Sequence, residues 1–377
     1  MKAGWETKPL GEIIQLEYGK PLDASQRKSD GLYPVYGANG EKDRSDTFFY
    51  DKPSIIVGRK GSAGEVNLTE ARFWPLDVTY FVTFDETRFD LQFLYYLLSH
   101  LELPKLAKGV KPGINRNEVY AIDVATPELP EQKRIVAILD EAFSGIATAR
   151  AAAEQNRQNA RALFESHLQS VFSQRGEGWM EKTLEDAVDG QCSLSYGIVQ
   201  PGEDQPDGLP IVRPTDLGEK TIELDGLKRI NPSLADSYRR TTLRGGDLLL
   251  CVRGSTGMIA VASDALAGGN VTRGIVPIHF DNTLVTQDFG YFLMRSAPIQ
   301  QQIRAKTYGA ALMQINIRDL RNLILPIPPR AAQAELAGTF ESLLEDTQRL
   351  EALYQRKLEM LDELKQSLLH QAFSGQL

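Results

Sequence analysis

The chain has 377 residues, 42% of them hydrophobic and 24% charged, with a formal net charge of −8. That length predicts two or three domains with sizeable cores, and no apolar run approaches the roughly 18 residues of a membrane span. Cys192 and Cys251 have no Cys-x-x-Cys neighbours, which argues against a disulfide framework or a zinc site and for a reduced, cytoplasmic protein. No large segment of the chain is net basic, so any polyanion must be met by local clusters of charge.

Residues 1–130 read as an α+β head. Strand signals such as Ser54 to Val57 lie between glycine-rich turns, and a helix is predicted over 90–103. Three features suit a polyanion. Arg59-Lys60-Gly61-Ser62-Ala63-Gly64 combines two cations with small residues that let backbone N–H groups approach phosphate, which makes Arg59, Lys60 and Ser62 candidates. It lacks the ending and spacing of a nucleotide P-loop. Lys105, Lys108 and Lys111 recur at every third position, and the candidates Tyr36 and Asn39 share a stretch in which asparagine is a type that reads base edges and the aromatics are more often core than stacking platforms. Asn115 completes the candidates of this head.

Residues 131–175 form the first arm, with one long helix expected over 131–173 after Pro130. Its packing stripe is predicted to include Leu139, Phe143, Ile146, Leu163, Leu168 and Phe172. Residues 176–329 form a second α+β head whose candidates are Arg213, Thr215, Arg253, Ser255, Thr256, Arg273, Lys306, Tyr308 and Asn316. Residues 330–377 form the second arm, helical over 332–373 behind Pro328-Pro329. Phe340, Leu343, Leu350, Tyr354, Leu361, Leu364 and Leu368 run near a heptad seam there. About 42 residues of helix would span roughly 63 Å.

The second half repeats the first. Residues 114–175 overlay 315–376 at a constant offset of 201 without a gap, pairing Ile114-Asn115 with Ile315-Asn316 and Gln132 with Gln333. Upstream the offset drifts: Gly4-Trp5 matches Gly178-Trp179, and Lys60 to Gly64 matches Arg253 to Gly257. The predicted fold is therefore α+β: two heads related by a pseudo-twofold, joined by two long helices that form an antiparallel coiled coil. Such a chain is a circle cut at one of two equivalent joints, so its termini should lie close together. His100, His167, His279 and His370 are scattered without metal-ligand spacing, and no nucleophile–base constellation is legible. Neither a metal site nor covalent chemistry is expected.

The segments Gly4-Trp5 with Gly11-Glu12-Ile13, Tyr33 to Gly37, Pro127 to Val136 and Leu368 to Gly375 resemble the specificity subunit of type I restriction–modification systems over essentially the whole chain. The second arm departs from the pattern, with Ala332-Gln333 where Glu131-Gln132 stands in the first. The resemblance implies two target-recognition domains, each reading one half of an asymmetric bipartite site in double-stranded DNA. It also implies arms that set the spacer and dock two methyltransferase subunits, with restriction subunits joining the full complex. This chain would be the non-catalytic member of a DNA adenine methyltransferase and ATP-dependent restriction endonuclease assembly. S-adenosylmethionine, ATP and magnesium would sit on its partners, and no membrane would be involved. The competing reading is a coiled-coil adaptor whose heads bind proteins or glycans.

Overall fold

The computed structural model describes residues 4–309 and 312–377. Its contacts divide the chain into two units, Met1–Gln155 with Tyr354–Leu377 and Asn156–Leu353. The division passes through both arms, so each unit owns one head and one stretch of each long helix.

In the first unit, Ile14–Tyr18, Thr79–Phe84, Ser54–Gly58 and Val66–Thr69 form an antiparallel sheet in that spatial order. Ser54–Gly58 is buried throughout, as its unbroken apolar run demands. Its alternating side chains feed two cores: Ile55 and Val57 join Phe93, Leu94 and Leu97, while Ile56 joins Tyr36, Phe73 and Phe81. The helix supplying Phe93, Leu91–His100, starts where the Asp90 carboxylate accepts from the Phe93 N–H at 3.0 Å. A second sheet, ordered Gly40–Ser45, Tyr33–Gly37 and Trp74–Pro75, completes the head.

The second unit repeats this plan with longer loops. Its sheet runs Thr221–Ile222, Ile259–Ala262, Leu248–Cys251 and Ile275–Ile278. Leu248 and Leu250 face one core, Leu249 and Cys251 another. Thr286 caps Gln287–Arg295 as Asp90 caps its counterpart.

Each head is closed by a short antiparallel ribbon. Glu6 pairs with Thr126 in one and Met180 with Ile327 in the other. The two partners are shifted by the 174 and 201 residues read from the sequence, so the repeat is structural. Gln132 and Gln333, both fully buried, then fasten head to arm. Gln132 accepts from the Asp90 N–H and donates to the Arg88 and Pro127 carbonyls; Gln333 accepts from the Thr286 N–H and donates to the Leu284 and Pro328 carbonyls. The Glu131-to-Ala332 departure leaves this fastening untouched.

The arms are continuous helices, Leu129–Gln174 and Arg330–Phe373. They run antiparallel in each unit: Phe143 lies against Lys365 and Arg150 against Asp362 in the first, Arg161 against Glu351 and Phe172 against Phe340 in the second. Leu139, Ile146, Ala153 and Ala160, spaced by sevens, form the buried stripe of the first helix. Leu168, Phe172 and Phe340 are buried as expected, while Phe143, Leu343, Tyr354, Leu361 and Leu368 are partly covered. Leu163, Leu350 and Leu364 are instead exposed, at 56%, 38% and 47%. Phe164 and Leu369 take the inward side of the adjacent pairs Leu163-Phe164 and Leu368-Leu369, and Thr347 and Leu358 are buried elsewhere on the second helix. Where two apolar residues are adjacent on a helix, about 100° separates them and only one can face the partner.

Trp5, Phe373 and Leu377 pack against one core, and Arg134 donates to the Leu377 carbonyl at 2.9 Å. Trp179 meets Phe172 at the corresponding joint. The expected closeness of the termini rests partly on residues 1–3, which lie outside the described residues. No helix among the described residues is long and apolar enough to cross a membrane.

Candidate nucleic-acid interface

In each head the structure joins two segments that are distant in sequence. Residues 108–113 form a small hairpin, with Lys108 and Gly113 exchanging backbone hydrogen bonds, and it docks on the glycine loop: Gly61 N–H donates to Pro112 and Ile114 N–H to Arg59. The second head repeats this. Tyr308 and Gln314 exchange bonds, Gly254 N–H donates to Met313, and the Thr256 hydroxyl donates to the same carbonyl at 3.3 Å. The basic loop and the basic stretch after the head helix are thus one surface in each unit.

The glycines serve the backbone. Gly61 and Gly64 have φ of 85° and 89°, and Gly254 and Gly257 have 83° and 97°, values that favour glycine. Gly64 returns its N–H to Gly58, as Gly257 does to Cys251. The N–H groups of residues 59, 60, 61, 64 and 65 are all bonded within the protein, so a backbone cradle for phosphate could draw only on those of Ser62 and Ala63 in this loop. The loop can offer a polyanion its side chains.

Those side chains fall into distinct sets. Lys60, Ser62, Lys111 and Asn39 are exposed, and Asn39, Lys42, Lys60 and Ser62 line one open cleft in the first unit. Lys105 and Lys108 are exposed but paired with Glu102 and Glu118. Arg59 donates twice to the Asp77 carbonyl, at 3.1 and 2.6 Å, and lies over Tyr18. Tyr36 is core: it is 9% exposed, with its ring edge-on to Phe73. Its place among the DNA-binding candidates is corrected, and the reading of this stretch's aromatics as core holds for it. Asn115 and Asn316 cap short helices by accepting from the N–H of Asn117 and Asp319.

In the second unit Ser255, Arg273, Thr215 and Tyr308 are exposed, and Lys306 ends the helix Ala297–Lys306. Arg213 is held in a fork by Asp216, at 3.1 and 2.8 Å. Gly274 lies so close to Pro214 that an added Cβ would meet its ring at 2.6 Å, with the Arg253 carbonyl at 3.8 Å. This brings the Arg213 segment, Arg253 and Arg273 to one place. The Arg253 Nε is buried without a hydrogen-bond partner.

Sequence reasoning missed the apolar tips. Val110 is fully exposed on the first hairpin, and Leu312 and Met313 are 45% exposed on the second. Val110 between Gly109 and Lys111 was the available signal, an aliphatic residue in a polar turn. It also missed Lys42, and Tyr196, whose hydroxyl donates to the Ile315 carbonyl at 3.3 Å. Among the described residues no cluster of His, Cys, Asp and Glu could hold a metal.

Duplicated heads on long paired helices, each presenting a loop pair with lysines or arginines, define a class of two-part recognition proteins. The chain belongs to the type I restriction modification DNA specificity domain family, whose signature matches residues 2–155 and again 177–360. The type I restriction enzyme EcoBI specificity subunit of Escherichia coli is 25% identical over 273 residues, a match covering 67% of this chain and 57% of that subunit. The EcoDI specificity subunit of Escherichia coli is 22% identical over 99% of this chain and 88% of its own length. A solved chain described under complex assembly and conformational transition of the type I R-M system matches with a TM-score of 0.75 at 17% identity, over 100% of this chain and 99% of the other. The HsdS subunit from Thermoanaerobacter tengcongensis matches at 0.57, also at 17%, over 100% and 98%. These likenesses establish the shared fold.

Proposed function

We propose that the chain is the DNA-reading subunit of a type I restriction–modification complex, with each head reading one half of an asymmetric, bipartite site. The observation that carries this is the loop pair built twice, on Lys60–Lys111 in one head and Arg253–Tyr308 in the other, with different side chains on the same scaffold. One scaffold means one way of approaching DNA; different side chains mean different half-sites. Lysines position the head on phosphate, while Asn39, Ser255 and Arg273 have the chemistry to read base edges. The exposed Val110 and Leu312 suit thymine methyl groups. The long helices hold the heads and dock two methyltransferase subunits, with restriction subunits joining them. S-adenosylmethionine, ATP and magnesium belong to those partners.

The test is methylation sequencing of DNA from cells carrying this chain with its methyltransferase partner, against the partner alone. A new split motif with one modified base in each half is expected. No new motif, from a partner active with another specificity subunit, would overturn the reading in favour of an adaptor.

A further inference from the structure

Two of the ion pairs that cross between the arms are related by the repeat with their charges exchanged. Arg150 meets Asp362 at 2.5 Å in the first unit, and Arg161 grips Glu351 through two bonds, at 3.3 and 3.0 Å, in the second. At the offset of 201, Arg150 corresponds to Glu351 and Arg161 to Asp362. The first arm therefore places arginine at both positions, and the second places a carboxylate at both.

At its end contact the apolar seam makes no such distinction. Phe172 stacks on Phe340, and the repeat counterparts of these two residues are Phe373 and Leu139. A first arm set against the first arm of another copy, in the same register, would still match Phe172 with Leu139. It would also place Arg150 against Arg161 twice over. Two second arms would place Glu351 against Asp362 twice, and would lose the contact of Lys365 with the Phe143 ring. At this contact hydrophobic burial accepts like arms, and charge refuses them.

We propose that these four residues form a pairing code that matches each arm to an unlike arm and rejects the like arm of a second copy of the chain. The code acts before any DNA is read, because an arm captured by its like would assemble two identical heads on one coiled coil. It goes beyond the proposed function and does not depend on it.

The test uses full-length chains. Arg161→Glu with Glu351→Arg keeps both ion pairs within the chain but gives each arm one charge of each sign, so like arms now attract. Arg150→Glu with Asp362→Arg does the same at the other site and serves if the first variant folds poorly. Reversing all four residues restores the code in mirror image. Each protein is unfolded in denaturant, refolded at rising concentration and measured by sedimentation, with helicity checked by circular dichroism. The two-residue exchange should give on the order of tenfold more dimer than the wild-type chain, and the four-residue reversal should match wild type. Equal dimer fractions in wild type and exchange variants would overturn the proposal. So would a four-residue reversal that dimerises as strongly as the exchange.

Discussion

Gln132 and Gln333 stand 201 positions apart and make the same three hydrogen bonds, each accepting from the capping residue of its head helix and donating to two carbonyls. A glutamine amide satisfies three backbone groups at once in a place with no access to water. The position therefore tolerates neither a hydrophobic residue nor a charged one.

Gln132→Ala should lower unfolding free energy by about 3 kcal/mol, because three buried backbone groups lose their partners. Gln333→Ala should cost a similar amount, and the double variant should be close to additive, since the two sites share no partner. Denaturant titration of single and double variants checks both. A loss below about 0.5 kcal/mol in either single variant would mean that water replaces the amide.

The fold was largely legible because its long-range signal was a repeat rather than a propensity. A gapless offset over 62 positions fixes helix length and pairing without knowledge of any contact. The side of the helix that packs was less legible. Leu163-Phe164 and Leu368-Leu369 each offer two apolar residues in a row, and the choice depends on a partner helix that periodicity cannot see. Phe164→Ala should cost about 3–5 kcal/mol, because its 3%-exposed ring packs with Phe292 and under Arg295. Leu163→Ala should stay within about 0.5 kcal/mol. Thermal unfolding of the pair would expose a seam assigned to the wrong residue.

The candidate recognition surface was half legible. Residue type picked out the cationic loops, but only the structure separates cations left exposed from those used by the protein. Lys60→Ala and Lys111→Ala should leave stability unchanged and weaken binding to DNA in the assembled complex. Each should reduce the salt dependence by about one counterion. Arg59→Ala should instead lower stability by about 1–2 kcal/mol, through loss of its two bonds to Asp77. Binding measured across a salt series, with unfolding midpoints for the same proteins, distinguishes the two roles. An unchanged salt slope for both lysine variants would remove this face from the interface.

Asp247 supplies the pH prediction. Its carboxylate is 3% exposed, accepts from the Arg244 N–H at 2.6 Å, and lies 3.7 Å from a His279 Nδ1 that has no hydrogen-bond partner. Burial pushes its pKa above the ordinary aspartate value, more than the Arg244 N–H and His279 pull it down. A carboxyl group with a raised folded-state pKa favours folding in its neutral form. Its contribution is complete below the unfolded-state value of about 3.9 and is lost as pH rises through the folded value. Asp247→Asn keeps the acceptor for Arg244 and places an uncharged amide on the side that faces His279 Nδ1. The variant should therefore be more stable than wild type at neutral pH, and its advantage should shrink as pH falls towards 4. Melting temperatures of both proteins between pH 4 and 8 check this, and an advantage that grows on acidification would show that the carboxylate is held by its partners rather than penalised by burial.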